Sequence, residues 1–248
     1  MPDDKTVSDD DLGHQPQLPE LAPAPFTEAL DQYLEAILEL EEEGARVIQA
    51  RLVARLGISP PSVSEMFRRL RAEGYVSVAA DRTVSLTEKG REAATAIVRR
   101  HRLAERFLVD VLGLPWHRSH VEARRWEHAI SADVESLIDA KLENPQTCPH
   151  GNPIPGSGVL AEDLVPLSET QVGERLRLER VSEELEMDYD ALVYLDRHGF
   201  IPGAEGVVST VAPDRTRLLT VGDSTIAVGR ELATKLYIRR LKLRAGKA

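Results

Sequence analysis

The chain is poor in cysteine and aromatic residues, and it lacks a long apolar segment. Its 248 residues include one cysteine, Cys148, so no disulfide can form within the chain. Asp110 interrupts the best apolar candidate, 107–116, which is shorter than the roughly 18–20 residues of a membrane span. The N-terminal segment MPDDKTVSDDD is acidic and polar, unlike a signal peptide. We therefore expect a cytoplasmic protein, and the length predicts one to three domains.

Charge is distributed unevenly along the chain, whose net charge is −10. Residues 1–29 contain seven acidic residues and one lysine, a net charge of −6. Residues 46–100 contain eleven arginines and lysines against five acidic residues, a net charge of +6. A basic segment of this kind is typical of a DNA-binding module, although a solvated helical face would have the same composition.

The segment 26–95 follows the order of a winged helix-turn-helix domain. Apolar stripes, a Ser59-Pro60-Pro61 helix start and glycine stops predict three helices, and two alternating segments predict a hairpin. The expected elements are at 27–43, 48–56, 60–73 and 75–86. In this order of elements, the third helix is the one that enters the major groove of DNA.

The rest of the chain divides into three further regions. Residues 1–25, rich in Asp, Pro and Gln, are predicted to form a disordered tail. Residues 96–158 are predicted to be a helical domain that ends in a Pro/Gly-rich loop at 144–158. Residues 159–248 are predicted to be a linker and a small β barrel, because short β-rich segments recur there. The fold class is therefore mainly α with small β parts.

The third helix and its surroundings carry the predicted DNA contacts. Short hydroxyls and a proline at the helix start would read bases mostly by shape, whereas arginines would meet phosphates. Glu65 would either accept a hydrogen bond from a cytosine amino group or pair with an arginine one turn later. The predicted DNA-binding residues are Arg51, Ser59, Pro61, Ser62, Glu65, Arg68, Arg69, Arg71 and Arg82.

Two helix faces carry candidate metal ligands. One face presents His101 and Glu105, four residues apart, and the next helix presents His120, Glu127 and His128. Imidazole nitrogens and carboxylates that converge from two packed helices can bind a divalent transition metal. Each residue alone would more often be a surface or hydrogen-bonded side chain.

Several motifs of the chain match one known family. The segments are LEAILELEEEG, SPPSVSEMFRRL, LTEKGREAA, RRHRLAERFLVDVLGLPW, RWEHAIS and HGNPIPG. They resemble the diphtheria toxin repressor and iron-dependent regulator family over about residues 27–156. More loosely, the small barrel resembles the SH3-like (FeoA-type) domain of longer members. The resemblance implies a metal-activated dimeric repressor with two metal sites per subunit.

The resemblance places an ancillary metal site on both helix faces and on the barrel. It implies His101, Glu105 and His120 as ligands, completed by Glu183 and Glu186 from the segment RVSEELEMDYD. Two imidazoles and three carboxylates without sulfur suit Mn²⁺ or Fe²⁺, and Zn²⁺ or Co²⁺ would bind in vitro. The segment Cys148-Pro149-His150 also contains two potential ligands but is interpreted as a plain loop.

The primary site that the resemblance implies is incomplete. Glu127 and His128 remain, but Gln32 and Arg124 stand where the family has a Met or Asp and a Cys or Glu. An arginine stays protonated and cannot ligate a metal. We hypothesise that Arg124 supplies the positive charge of the missing ion, placed against Glu127, with Gln32 hydrogen-bonded nearby.

We expect a metal-dependent repressor of metal homeostasis genes that binds a palindromic operator as a homodimer. The dimer interface is predicted within 111–142, where Trp116 and Trp126 serve either the interface or the core. The basic run 239–247 could contact DNA, but it is interpreted as a solvated helix end. The alternatives are a winged-helix regulator without metal control and, far less favoured, a metallohydrolase that uses Glu127, His128 and His101.

Overall fold

The computed structural model describes residues 25–158 and 164–241. The predicted acidic tail lies outside these ranges except for residue 25, as do most of the predicted linker and the last seven residues of the chain. Within these ranges, no helix combines the length and apolar character needed to cross a bilayer. The boundaries proposed between the domains stay a prediction.

The N-terminal part is a three-helix unit followed by a hairpin, as predicted. Its elements are α1 (Pro25–Glu42), α2 (Gln49–Leu56), α3 (Pro60–Ala72), β1 (Val76–Val78) and β2 (Val84–Leu86). Gly57 ends α2 with a φ of 65°, and the Ser59 hydroxyl accepts a hydrogen bond from the Ser62 N–H at the start of α3. Apolar residues of all three helices and both strands share one core.

A long central helix, α4 (Glu88–Asp110), connects the N-terminal unit to the helical domain. The Thr87 hydroxyl caps it by accepting a hydrogen bond from the Gly90 N–H at 3.1 Å. After a short 3₁₀ turn come α5 (Ser119–Trp126) and α6 (Ala132–Lys141). Because α5 ends earlier than expected, Glu127 and His128 lie in the turn that follows it.

The C-terminal part is a six-stranded antiparallel sheet with three short helices. Its elements are β3 (Val165–Pro166), β4 (Arg175–Val181), α7 (Glu183–Glu186), α8 (Tyr189–Arg197), β5 (Glu205–Val211), β6 (Arg217–Val221), β7 (Ser224–Val228), α9 (Arg230–Thr234) and β8 (Leu236–Leu241). The strand order is β3-β8-β4-β5-β6-β7. The interpretation of the C-terminal basic run as a helix end is wrong for residues 239–241. They belong to β8, which pairs with β3 and β4 and buries Leu236 and Ile238.

The 144–158 loop folds back against β4. The Val181 N–H donates to the His150 carbonyl at 2.9 Å. Gly151 has a φ of +89°, and a Cβ there would lie 1.9 Å from the Glu179 carbonyl oxygen. Only glycine permits so close an approach. Trp116 packs in the core of the β domain and donates its indole N–H to the Pro149 carbonyl, so it belongs to the core.

Candidate metal centre

Five side chains from four parts of the chain converge on one buried point. They are His101 and Glu105 on α4, His120 on α5, His150 on the 144–158 loop and Glu186 on α7. We call these residues the five-residue cluster. Neighbouring nitrogen and oxygen atoms of the cluster lie between 2.9 and 3.4 Å apart, and His150 reaches the other four residues through Glu105 and Glu186. The sequence predicted four of the five members.

Local structure fixes the direction of these side chains. His101 and Glu105 are one helical turn apart, so both point to the same side of α4. The Ser182 hydroxyl caps α7 by accepting a hydrogen bond from the Leu185 N–H. The Asn152 amide then donates to Glu186 Oε1 at 2.6 Å, which leaves Glu186 Oε2 facing the cluster.

Several atoms of the five-residue cluster are buried without a hydrogen bond: both Glu105 oxygens, both His150 ring nitrogens and Glu186 Oε2. Leaving such groups unsatisfied is costly unless another partner binds them. Ligand atoms bound at about 2.1 Å to one ion lie about 3 Å from one another, as these atoms do. The donor set therefore fits a divalent transition metal.

The electrostatics of the cluster show that positive charge is required at this point. Burial alone would lower the pKa of His120, but the adjacent Glu105 and Glu186 carboxylates raise it to about 9. Burial likewise opposes ionisation of Glu105, yet the charges of His150 and His101 hold its pKa well below the ordinary value. A divalent cation can take over the charge that these imidazoles otherwise supply.

The interpretation of the 148–150 segment as a plain loop is wrong. Cys148, His150 and Glu105 form a second group able to hold a metal, and both loop side chains are buried. Burial raises the pKa of the Cys148 thiol to about 12. A Cys-x-His spacing was the available signal. Its importance depends on the packing of the loop against β4, which lies about 30 residues further along the sequence.

Glu183, a predicted ligand, lies outside the five-residue cluster. Its carboxylate accepts a hydrogen bond from Arg102 Nη2 at 2.9 Å. The buried guanidinium of Arg102 carries a permanent positive charge next to Glu183. It binds the Glu183 carboxylate and so holds it away from the imidazoles. Burial and the charge of Glu186 raise the pKa of Glu183 to about 7.

The predicted remnant of the primary site lies on the opposite side of His101. Glu127 Oε2 is 2.5 Å from His101 Nδ1, while Glu35 Oε1 is 3.9 Å from that nitrogen. These three residues form another group able to hold a metal. His128 adjoins this group, with its Nε2 3.2 Å from Glu127 Oε1 and its Nδ1 3.2 Å from the Asp31 carboxylate. Sequence reasoning missed Glu35 and Asp31 because both fall within a predicted amphipathic helix.

The predicted pairing of Arg124 with Glu127 is not among the ion pairs of the described residues. Arg124 Nη1 lies 3.4 Å from the sulfur of Met187. Burial raises the pKa of Glu35, and the charge of Arg124 opposes that rise. Gln32 and Arg124 line one small cavity together with Glu35 of α1. The Arg124 charge therefore lies near the remnant site, but on the side of α1 and not against Glu127 as predicted.

The predicted DNA-binding residues are all exposed. Most of them lie along α3, and Arg82 stands at the tip of the hairpin with a φ of 67°. Arg46, which sequence reasoning missed, stabilises the tip of the hairpin by donating a hydrogen bond to the Asp81 carboxylate at 2.8 Å. Arg51 differs from the others because it lines a cleft that also contains Glu184 and Met187 on the β domain.

Three family models match the chain in succession. They are the iron dependent repressor N-terminal DNA binding domain over residues 25–84, the iron dependent repressor metal binding and dimerisation domain over 87–156, and the FeoA domain over 165–240. These matches confirm the predicted fold class and the order of its three parts.

Curated relatives and solved structures agree with these matches. The iron-dependent repressor IdeR of Mycobacterium tuberculosis is 38% identical over 227 residues, 87% of this chain and 99% of that protein. The diphtheria toxin repressor of Corynebacterium glutamicum is 34% identical over 226 residues, 88% of this chain and 98% of that protein. A manganese-dependent transcriptional repressor in complex with manganese superposes with a TM-score of 0.77 at 32% identity, covering 86% of this chain and 100% of that one. The chain belongs to the iron-dependent repressor family of metal-dependent, DNA-binding transcriptional repressors.

Proposed function

We propose that this repressor responds to Mn²⁺ or Fe²⁺ bound at the five-residue cluster. The observation that carries the proposal is a set of buried nitrogen and oxygen atoms whose neighbours lie 2.9–3.4 Å apart, several of them without a hydrogen bond. When bound, the ion would supply fixed positive charge between α4, α5, the 144–158 loop and α7. Glu105 and Glu186 would bind it as carboxylates, and the three histidines as imidazoles.

The ligand chemistry supports Mn²⁺ or Fe²⁺ over softer ions. All five residues of the cluster face the centre with an imidazole nitrogen or a carboxylate oxygen, and these atoms suit both metals. Cys148 lies beside this set, but its raised pKa keeps sulfur a thiol in the metal-free protein. We therefore expect Zn²⁺ and Co²⁺ to bind in vitro without being the regulatory ions.

We further propose that the regulated targets are metal homeostasis genes with palindromic operators. The chain would bind them as a symmetric homodimer, each subunit placing α3 in a major groove. Exposed apolar residues near the junction of α4 and α5 support this arrangement: Val111, Leu112 and Val121. Trp126, packed on Phe107 and half-buried, lies on the same domain.

Calorimetry on chelator-stripped protein tests the metal centre. Wild-type protein should bind Mn²⁺ and, without oxygen, Fe²⁺, and His101→Ala should abolish the tight site. His198→Ala is the matched control, because His198 contacts the Tyr194 carbonyl, far from the cluster. Absence of tight binding in the wild type would instead favour a winged-helix regulator without metal control.

Metal control of DNA binding can be tested with DNA duplexes that the protein selects from a random-sequence pool. Selection with Mn²⁺ present should enrich palindromic sequences that bind at least tenfold more weakly after chelation, a factor within the range usual for allosteric coupling. Selected duplexes that bind equally well with and without metal would contradict metal control.

We also propose that the remnant site holds no ion, because Arg124 supplies positive charge near Glu35. The double variant Arg124→Cys with Gln32→Met should then bind one more metal ion per subunit than the wild type. An unchanged stoichiometry would contradict this explanation.

A further inference from the structure

One arginine connects all three parts of the molecule beside the five-residue cluster. Arg102, next to His101 on α4, is 1% exposed. Its two terminal nitrogens donate to both oxygens of Glu42 on α1, at 3.3 and 2.6 Å. They also donate to the Pro153 carbonyl of the loop at 2.5 Å and to Glu183 on α7 at 2.9 Å. The DNA-binding unit, the loop and the β domain thus share one cation.

Arg102 and two of its three partners are close in sequence to members of the five-residue cluster. Arg102 itself follows His101, Pro153 is three residues from His150, and Glu183 is three residues from Glu186. Because α7 is a single capped turn, the positions of Glu183 and Glu186 are fixed relative to each other. The packing of α4, the 144–158 loop and α7 that brings the cluster residues together therefore also places Pro153 and Glu183 around Arg102.

The third partner, Glu42, leads towards DNA. Glu42 lies in the last turn of α1, and α1 packs against α2, α4 and the hairpin. A two-pronged pairing of arginine and carboxylate fixes orientation as well as distance. With Glu42 held in this way, the end of α1 is fixed relative to α4.

We infer that Arg102 is a positioning residue that couples occupancy of the five-residue cluster to the placement of the DNA-binding helices through Glu42. This inference rests on the proposed metal centre. An ion that favours the gathered arrangement shifts the population towards it, and Arg102 extends that preference to α1. Coupling of this kind is reciprocal, so DNA bound in this arrangement should also tighten metal binding.

A neighbouring ion pair offers a matched control. Glu41 also lies on α1 and pairs with α4 through Arg91 at 2.6 Å, but Arg91 is half-exposed and distant in sequence from the cluster. The variants Glu42→Ala and Glu41→Ala remove the same group from adjacent positions and suit a helix. Arg102 keeps Glu183 and Pro153 as partners in Glu42→Ala, so the buried cation stays compensated.

The experiment measures three quantities for full-length wild type and both variants: Mn²⁺ affinity, affinity for a selected duplex with and without Mn²⁺, and hydrogen exchange of the α1 amides. In Glu42→Ala we expect the gain in DNA affinity on adding Mn²⁺ to shrink at least fivefold, the lower end of usual coupling factors. Mn²⁺ should also cease to protect the α1 amides. Glu41→Ala should retain the wild-type gain and protection.

The possible outcomes separate this inference from the proposed function. If wild-type protein binds no Mn²⁺ or gains no DNA affinity from it, the metal-dependent function itself fails. If the wild type responds and Glu42→Ala responds equally, coupling through Arg102 is refuted. A uniform loss of DNA affinity with and without Mn²⁺ in Glu42→Ala would also refute it, since that result indicates a purely structural contact.

Discussion

At the scale of single residues, the chemistry of the site depends on what each histidine nitrogen faces. His101 presents Nε2 to the five-residue cluster and Nδ1 to Glu127. A carboxylate on the far nitrogen orients a metal-binding imidazole and raises its basicity. Glu127 therefore supports the cluster in the geometry observed.

The importance of His150 can be tested by substitution. We expect His150→Gln to weaken Mn²⁺ binding by on the order of 100-fold, comparable to the upper end of losses seen for residues that orient metal ligands. His198→Gln should leave the affinity unchanged, because His198 contacts only the α8 backbone among the hydrogen bonds of the described residues. Calorimetry measures both, and an unchanged affinity in His150→Gln would remove this residue from the ligand set.

At the scale of elements, the sequence predicted the helices and strands well where periodic burial decides. The helices expected at 48–56 and 60–73 are observed at Gln49–Leu56 and Pro60–Ala72. The four-residue helix α7 was missed because a single turn has no period to detect. The strand β8 was misread because the exposed Arg239 and Arg240 obscured the alternation of Leu236 and Ile238.

A backbone feature of the 144–158 loop provides a prediction at this scale. Gly151→Ala should push the loop off β4, because its new Cβ would collide with the Glu179 carbonyl, and so displace His150. Gly156→Ala has nearly the same strained φ but meets only the Arg99 side chain at 3.6 Å. Both should lose roughly 1–2 kcal/mol to strain. Thermal unfolding and Mn²⁺ titration should show a further loss of stability and of affinity only in Gly151→Ala.

At the scale of the whole molecule, the sequence could predict which parts exist but not every contact between them. The family resemblance implied Glu183 as a metal ligand, yet its carboxylate accepts a hydrogen bond from Arg102. The 148–150 segment was set aside because its place depends on β4. Both differences arise from packing between distant segments, which local patterns do not encode.

Dimerisation is tested by a charge placed on the apolar surface near α5. Val121→Glu should yield a monomer, since a buried, unpaired carboxylate at the proposed interface would be costly. Val172→Glu is the control, because Val172 is similarly exposed but lies on the β domain. Light scattering after size exclusion measures the mass, and a dimeric Val121→Glu would place the interface elsewhere.

The five-residue cluster also bears on the kinetics of folding. Its members span residues 101 to 186 and come from the helical domain, a loop and the β domain. All of these parts must be in place before the ligand atoms meet, so the complete site forms late. An ion bound there should therefore slow unfolding and leave the rate of refolding nearly unchanged. Release of the ion would require this arrangement to open, so the opening rate would set how quickly the repressor responds when the metal becomes scarce.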